Sequence, residues 1–435
     1  MISDDPAPTS SSSGLTPSLL FSTVENAITH HCIVEFFYEG GGAKGKREEA
    51  KSIVGKLNRV RSRRLFGALL PLVRRVVEEE SYCHDEDEDN NHNEKEITTS
   101  LQFLHLTAIL LTAYISHTSK NSEECFETAS LMHDLLFPLH SSPSKHASNT
   151  SSAIYTLCET WWHANLDDRE QLVTQLVPLL LLSCLEPNAN KSDVKRLYGM
   201  REALNLLDFG DPSIQSMEVQ LLRTLSNPLF LQCGEGKKFL SHLFTVDADL
   251  VARLHKAVRV QIPECKKSIL NAYGDVYWMA WKSAAAEEEG DIRVSMEENA
   301  IQDLANLVIH AANPFVSKNC RVVLDKFMLN KKDPAVESML YRCFGPILWR
   351  SLKASNARVR IQASKVLGDT FPLRDVESKV TFDVVMKKTT EAIVKLMRDE
   401  VPSVRVAGCV CAQRVLGGFW VAIPSGDIRI LLDGE

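Results

Sequence analysis

Two short stretches hold residues at spacings that could do chemistry. GGGAKGK fits the opening of a phosphate-binding loop, with Gly40, four residues, then Gly45-Lys46. Such a loop cradles phosphates on backbone N–H groups, and a Ser or Thr after the Lys holds Mg²⁺. Here Arg47 follows and no βαβ pattern surrounds it, so the segment reads as a flexible glycine linker. DEDEDNNHNEKE places Asp85, Asp87 and Asp89 at positions 1, 3 and 5 of a calcium loop and Glu96 at position 12. Position 6 of that loop turns through positive φ and wants Gly. It holds Asn90, His92 sits where an apolar anchor belongs, and no second loop exists to pair with it. A low-complexity acidic run reproduces this pattern by composition alone. The thirteen histidines form no His-Glu-x-x-His, and neither Gly-x-Ser-x-Gly nor Cys-x-x-Cys occurs. The expected chemistry is that of binding, with no catalytic constellation, no metal and no cofactor.

Binding residues are concentrated by charge. The 435-residue chain carries a net charge of −7, so any nucleic-acid surface must be local. Residues 44–75 hold eleven Lys/Arg against two Glu, and residues 78–94 hold nine Asp/Glu and no Lys or Arg. KLNRVRSRRLFGALLPLVRR (56–75) mixes Arg59, Arg61, Arg63 and Arg64 with apolar residues at helical spacing. Three readings stand: phosphate contact with DNA, a nuclear import signal in RVRSRR, or a solvated basic face. The acidic run reads as a disordered connection that solvates the loop or folds back over the basic helix. Eleven irregularly spaced cysteines argue against a disulfide framework and for reduced, mostly buried thiols. The most apolar run, Leu172 to Leu185, is 14 residues long and contains Gln and Pro. A membrane span needs about 20 apolar residues, so this reads as a buried helix.

The elements that must position these residues are helices. Thr16-Pro17 looks like an N-cap followed by Pro at the first helical position. From there apolar residues recur at helical spacing, and alternation of period two is almost absent. Short breakers at 140–152, 185–193, 209–213 and 330–334 leave successive helices as antiparallel neighbours.

A repeat organises the C-terminal part. NARVRIQASKVLGDTF, slid forward by 45 residues, lands on PSVRVAGCVCAQRVLG, so that Val359, Arg360, Ile361 and Ala363 fall on Val404, Arg405, Val406 and Gly408. The preceding helices match too, Leu348, Trp349 and Leu352 falling on Ile393, Val394 and Met397. A period of about 40–47 residues built from two helices is that of HEAT and armadillo arrays. Each helix pair has one apolar face too many to bury alone, so pairs stack. A small residue at Ala363 or Gly408 lets two helices approach closely. Asp399, six residues before Arg405, sits where HEAT arrays ladder neighbouring repeats, and Ala354 leaves the equivalent rung before Arg360 empty. The expected fold is all-α, an α-solenoid of antiparallel helix pairs with an irregular N-terminal half.

MLYRCFGPILWRSLKASNARVR (339–360) followed by FPLRD (371–375) resembles a stretch of the G-type HEAT-repeat, non-SMC subunits of condensin II. TLCETWW (156–162), EGKKFLSHLF (235–244) and AIQDLANLVIHAA (300–312) resemble the same family in the same order. The resemblance covers residues 153 to 420 and is loose before about residue 100. It implies a non-catalytic scaffold in the nucleus and on the chromosome, whose partners are a kleisin, two SMC ATPases and DNA or nucleosomes, with no membrane and no small-molecule substrate. An adaptor for nuclear transport or a phosphatase scaffold would share the fold.

Six segments are expected: a disordered start (1–15), helices with the basic segment (16–80), an acidic disordered connection (81–98), irregular helical repeats (99–330), two HEAT-like repeats (331–420) and a truncated tail (421–435). The expected interaction residues are Arg342, Trp349, Arg350, Arg358 and Lys365, with Arg59, Arg61, Arg63 and Arg64 of the basic helix. Arg360, Ala363, Asp399 and Arg405 are expected to hold the stack, leaving Arg358 as the better candidate for a partner. Trp161 and Trp162, adjacent on a helix, are read as straddling a helix seam, or as one facing an interface.

Overall fold

The computed structural model describes residues 15–39, 43–82, 90–118, 122–286, 290–374, 382–420, 423 and 425–433. Among them there is helix and no β-strand. The chain divides into two compact units, Met1–Ser183 and Cys184–Glu435.

The first unit contains α1 (Pro17–Glu25), α2 (His30–Tyr38), α3 (Ala43–Val54), α4 (Arg59–Tyr82), α5 (Asn90–Ile115), α6 (Glu123–Asp134), α7 (Leu136–Ser141) and α8 (Lys145–His163), and α9 (Leu176–Leu185) begins in it. Thr16 caps α1, its side chain accepting from the Leu19 N–H ahead of Pro17. The cations of GGGAKGKR serve the fold. Lys46 donates to the Phe36 carbonyl at 3.1 Å and Arg47 to the Phe37 carbonyl at 2.7 Å, so two cations from α3 occupy the C-terminal carbonyls of α2. Positive charge there complements the negative end of the helix dipole. Gly40 to Gly42 lie outside the described residues.

Helix α5 is the unit's centre. Glu94–Ile115 is long and apolar enough to cross a membrane, yet 56% of that window is buried against the rest of the protein. Phe103, Leu104, Ala108 and Leu111 are fully enclosed, and Thr150 of α8 donates to the Leu101 carbonyl at 2.8 Å. Trp161 and Trp162 are both buried. Neighbouring residues on a helix point about 100° apart, so α8 must be covered on two sides. Phe126 of α6 lies against Trp161 and the Arg169 guanidinium stacks 4.4 Å from the Trp162 ring. Leu172 to Leu185 holds a short 3-10 turn and α9, with Leu176, Leu179, Leu180 and Leu181 buried.

The acidic connection is shorter than residues 81–98. Helix α4 continues to Tyr82 and α5 starts at Asn90, because Glu and Lys are good helix formers and both ends extend helices already anchored by apolar residues. Asp85, Asp87 and Asp89 lie outside the described residues, while Glu96 belongs to α5. No group of three or more potential metal ligands occurs among the described residues. Of the ten cysteines described, seven are buried and none is bridged.

The second unit runs through α10 (Lys191–Gly199), α11 (Gln215–Thr224), α12 (Pro228–Gln232), α13 (Gly234–Leu243), α14 (Ala248–Gln261), α15 (Lys267–Ala284) and α16 (Asp291–Ser295). A π-helical turn, Met296–Ile301, leads into α17 (Gln302–His310), followed by α18 (Pro314–Leu329), α19 (Pro334–Ser351), α20 (Ala357–Thr370), α21 (Phe382–Met397), α22 (Pro402–Phe419) and α23 (Ser425–Asp433). Residues 425–433 form this last helix, packed on α21, where a tail was expected. Many turns are built alike. Asn227, Asn313 and Asp333 each cap a helix that opens on Pro, and Asn356 caps α20. Pro fits that first position because its missing N–H would have no partner there.

Small residues set how closely the stack packs. A methyl group on Gly408 would sit 2.9 Å from the Met397 nitrogen of α21, and one on Gly274 of α15 2.9 Å from the Val323 carbonyl of α18. At Gly236 it would sit 2.3 Å from the Phe230 carbonyl. Ala363 is fully buried. In urea denaturation, Gly236→Ala is expected to lower stability by about 1–3 kcal/mol by overpacking. Gly67→Ala, in α4 with open space around it, should raise stability by about 0.5–1 kcal/mol.

Two histidines make the first unit acid-sensitive. Burial, reinforced by His31, lowers His30 from 6.5 to about 4, and burial, reinforced by Arg47, lowers His105 to about 4. The unfolded chain takes up these protons first, so stability is fully present above pH 6.5 and is lost as pH falls toward 4. His30→Phe, which keeps an aromatic ring without a titrating group, should flatten the pH dependence of the unit's unfolding midpoint between those values.

Candidate functional site

Several arginines of the second unit close on carboxylates and backbone carbonyls. Arg360 of α20 holds Asp399 in a two-point pair, both bonds 2.7 Å, and also donates to the Ala354 and Ser355 carbonyls at 2.8 Å. Its side chain is 15% exposed and that of Asp399 12%. Arg405, one repeat later, donates to the Asp399 and Glu400 carbonyls at 2.9 and 3.1 Å. Each arginine therefore closes the turn before its own helix, and Arg360 additionally reaches into the next repeat. The Arg360 bonds hold the Asp399 carboxyl below the usual range.

Two residues expected at an interface also lie within this framework. Arg342 of α19 makes a two-point pair with Glu297 of the π-helical turn, both bonds 2.8 Å, and the Trp281 indole donates to the same carboxylate at 3.1 Å. Glu297 is 8% exposed, so the pair answers a buried charge. Arg358 donates to the Ala311 carbonyl at the end of α17, 2.8 Å away. Among the described residues Arg358, the better candidate for a partner of the two arginines in NARVR, makes this one side-chain bond where Arg360 makes four; it ties its helix to the preceding repeat, as Arg360 ties it to the following one. Sequence reading missed the acids on which these pairs close. Glu297 and Arg342 are 45 residues apart, as are Asp369 and Arg414, which meet at 2.5 Å. That spacing equals the repeat length and was the available signal. Asp369 also pairs with Arg321, and Asp275 bridges Lys237 and Lys326 at 2.7 Å each.

The basic helix α4 is largely occupied as well. Arg63 pairs with Glu124 of α6 at 2.6 Å, Arg64 with Glu25 of α1, and Arg74 with Glu127. Arg59 and Arg61 are exposed and form no ion pair among the described residues, flanking Val60, which is 77% exposed.

What remains is a face on α19 and α21. Trp349 is half-buried, and Lys388 lies over its ring at 4.1 Å from the centroid. Arg350, Lys353 and Lys387 are exposed beside them. Burial and the neighbouring Lys353 depress the Lys388 ammonium, and neither lysine forms an ion pair among the described residues. Like charges at that spacing repel, and an anion drawn between them would relieve the repulsion. Trp349 and Arg350 were legible in the sequence; Lys388, brought in by α21 to meet Lys353 in the turn after α19, needed the fold. Lys365 stands apart, exposed on α20 at the rim of an apolar groove of about 220 Å³ lined also by Ile361, Val406 and Val410.

Comparison with known proteins fits this arrangement. A family model described as "Condensin II non structural maintenance of chromosomes subunit" matches residues 223–375, the segment that contains the Glu297–Arg342 pair and the caps of α12, α18, α19 and α20. Over that segment the chain is similar to this condensin II family. "Condensin-2 complex subunit G2" of Xenopus laevis is 28% identical over 83% of the chain, and those of Mus musculus and Homo sapiens are 30% identical over 75% and 80%. The chain spans 31%, 28% and 30% of these relatives. A solved structure, "Structural Basis of Tubulin Recruitment and Assembly by Microtubule Polymerases with Tumor Overexpressed Gene (TOG) Domain Arrays", aligns with 85% of this chain and 97% of its own. Its identity is 12% and its TM-score 0.21, too low to carry an argument.

The Arg360–Asp399 pair is expected to couple two repeats. A double-mutant cycle of Arg360→Ala and Asp399→Ala, read by urea unfolding, should return a coupling energy of about 1 kcal/mol or more. Strict additivity of the two variants would remove the pair from the framework.

Proposed function

We propose that the chain acts as a non-catalytic scaffold of condensin II that binds chromatin through the face of α19 and α21, and a kleisin elsewhere on its helical repeats. The observation that carries the reading is the group Trp349, Arg350, Lys353 and Lys388. In a chain of net charge −7 whose arginines mostly close on carboxylates and carbonyls, these cations stand together with no ion pair to an acid among the described residues. A polyanion such as the DNA backbone is the partner that suits them, since each neutralised phosphate releases counterions. The apolar groove beside Lys365 is the surface suited to an apolar kleisin segment, the lysine holding an acidic residue at its edge. On this reading ATP hydrolysis belongs to the SMC partners, and the site of action is the chromosome in the nucleus. Similarity to condensin II subunits supports this over a transport or phosphatase scaffold.

Duplex DNA binding followed by fluorescence anisotropy across a salt series tests it. Lys353→Ala with Lys388→Ala should weaken binding about tenfold at moderate salt and flatten the slope of log affinity against log salt by about 2. An unchanged slope would reject the face as a phosphate-binding surface.

A further inference from the structure

Proline occurs 17 times in the chain, and only Thr16-Pro17 and Ser142-Pro143 follow a hydroxyl residue. The two sites differ. The Thr16 side chain is used, accepting from the Leu19 N–H as the cap of α1, and the third residue after it is Leu19 itself. Ser142 lies in the connection between α7 and α8, and the third residue after it is Lys145. Its backbone is extended, with φ −81° and ψ 129°. That is the conformation a residue before proline favours and in which a strand of chain enters a kinase cleft. Pro143 and Lys145 are exposed, and Ser142 is half-buried. The Ser142 Oγ accepts a long bond, 3.4 Å, from the Ser144 N–H and donates none among the described residues.

We infer that Ser142 is a phosphorylation site for a proline-directed Ser/Thr kinase, which reads Pro143 at the following position and the Lys145 ammonium two residues beyond. In the transfer, Ser142 Oγ attacks the γ-phosphorus of ATP. The new O–P bond forms as the bond to the β-phosphate oxygen breaks, ADP leaves, and the hydroxyl proton passes to the kinase's base. The product places nearly two negative charges two residues ahead of Ser144, the cap of α8. No acidic residue occupies the first turn of that helix, and Lys145 stands at its first position. The phosphate meets the positive end of the 19-residue helix α8 and a free ammonium group. This site is separate from the proposed DNA face and does not depend on it.

The test is phosphorylation of the intact folded chain by a purified proline-directed kinase with ATP, read by intact mass and peptide mapping. One phosphate should appear on the peptide containing Ser142. Ser142→Ala should abolish it, and Pro143→Ala and Lys145→Ala should each slow it at least tenfold. A peptide spanning residues 137–150 serves as control. Modification of the peptide with none on the folded chain would show that the fold hides the site and would overturn the inference. So would modification of the folded chain that is indifferent to Pro143→Ala.

Discussion

The two-point pair between Arg360 and Asp399 is the constraint around which the C-terminal repeats are arranged. Apolar burial makes the helices stick but is non-directional, and it would tolerate several rotations of one pair on the next. A guanidinium fork facing a carboxylate does not tolerate them, because both bonds form only in one register. Arg360 therefore fixes the turn before α20 through the Ala354 and Ser355 carbonyls and fixes the following turn through Asp399. Arg358 performs the reverse operation on the preceding turn through Ala311. One helix start thus references both of its neighbours, and the close contacts at Gly408 and Gly274 become possible because the helices arrive in the right rotation.

How far the sequence discloses this depends on the range of the interaction. Helix starts were legible because an N-cap is local: Thr16 and Pro17 act within one turn. The role of Arg360 was legible because it recurs 45 residues later as Arg405 in the same company. The bonds of Arg342 and Arg358 were not legible because the groups they meet, a buried glutamate and a carbonyl, carry no mark in their own segments. Arg342 stands beside Tyr341 in the sequence, and only the fold supplies Glu297. The acidic segment was read too long because composition reports solvation, whereas helix length depends on what the ends are anchored to. Lys388 could not be found by spacing, since a different helix, α21, brings it to Trp349.

The distribution of charge separates holding from binding. Acids are spent as bridges: Asp275 takes two lysines, Asp369 two arginines, Glu297 an arginine and an indole. A cation left beside another cation is the exception in such a molecule, which is why the small group on α19 and α21 stands out although the chain as a whole is acidic.

The bridges and the seams differ in what surrounds them. Asp369 and its two arginines are between 27% and 47% exposed, whereas Gly408 presses on the backbone of α21 with no room for water. Ions in solution weaken the first kind of contact and leave the second untouched. Bending one repeat against the next stretches the bridges before it opens the seam. The stiffness of these repeats therefore follows ionic strength, while the spacing of their helices does not.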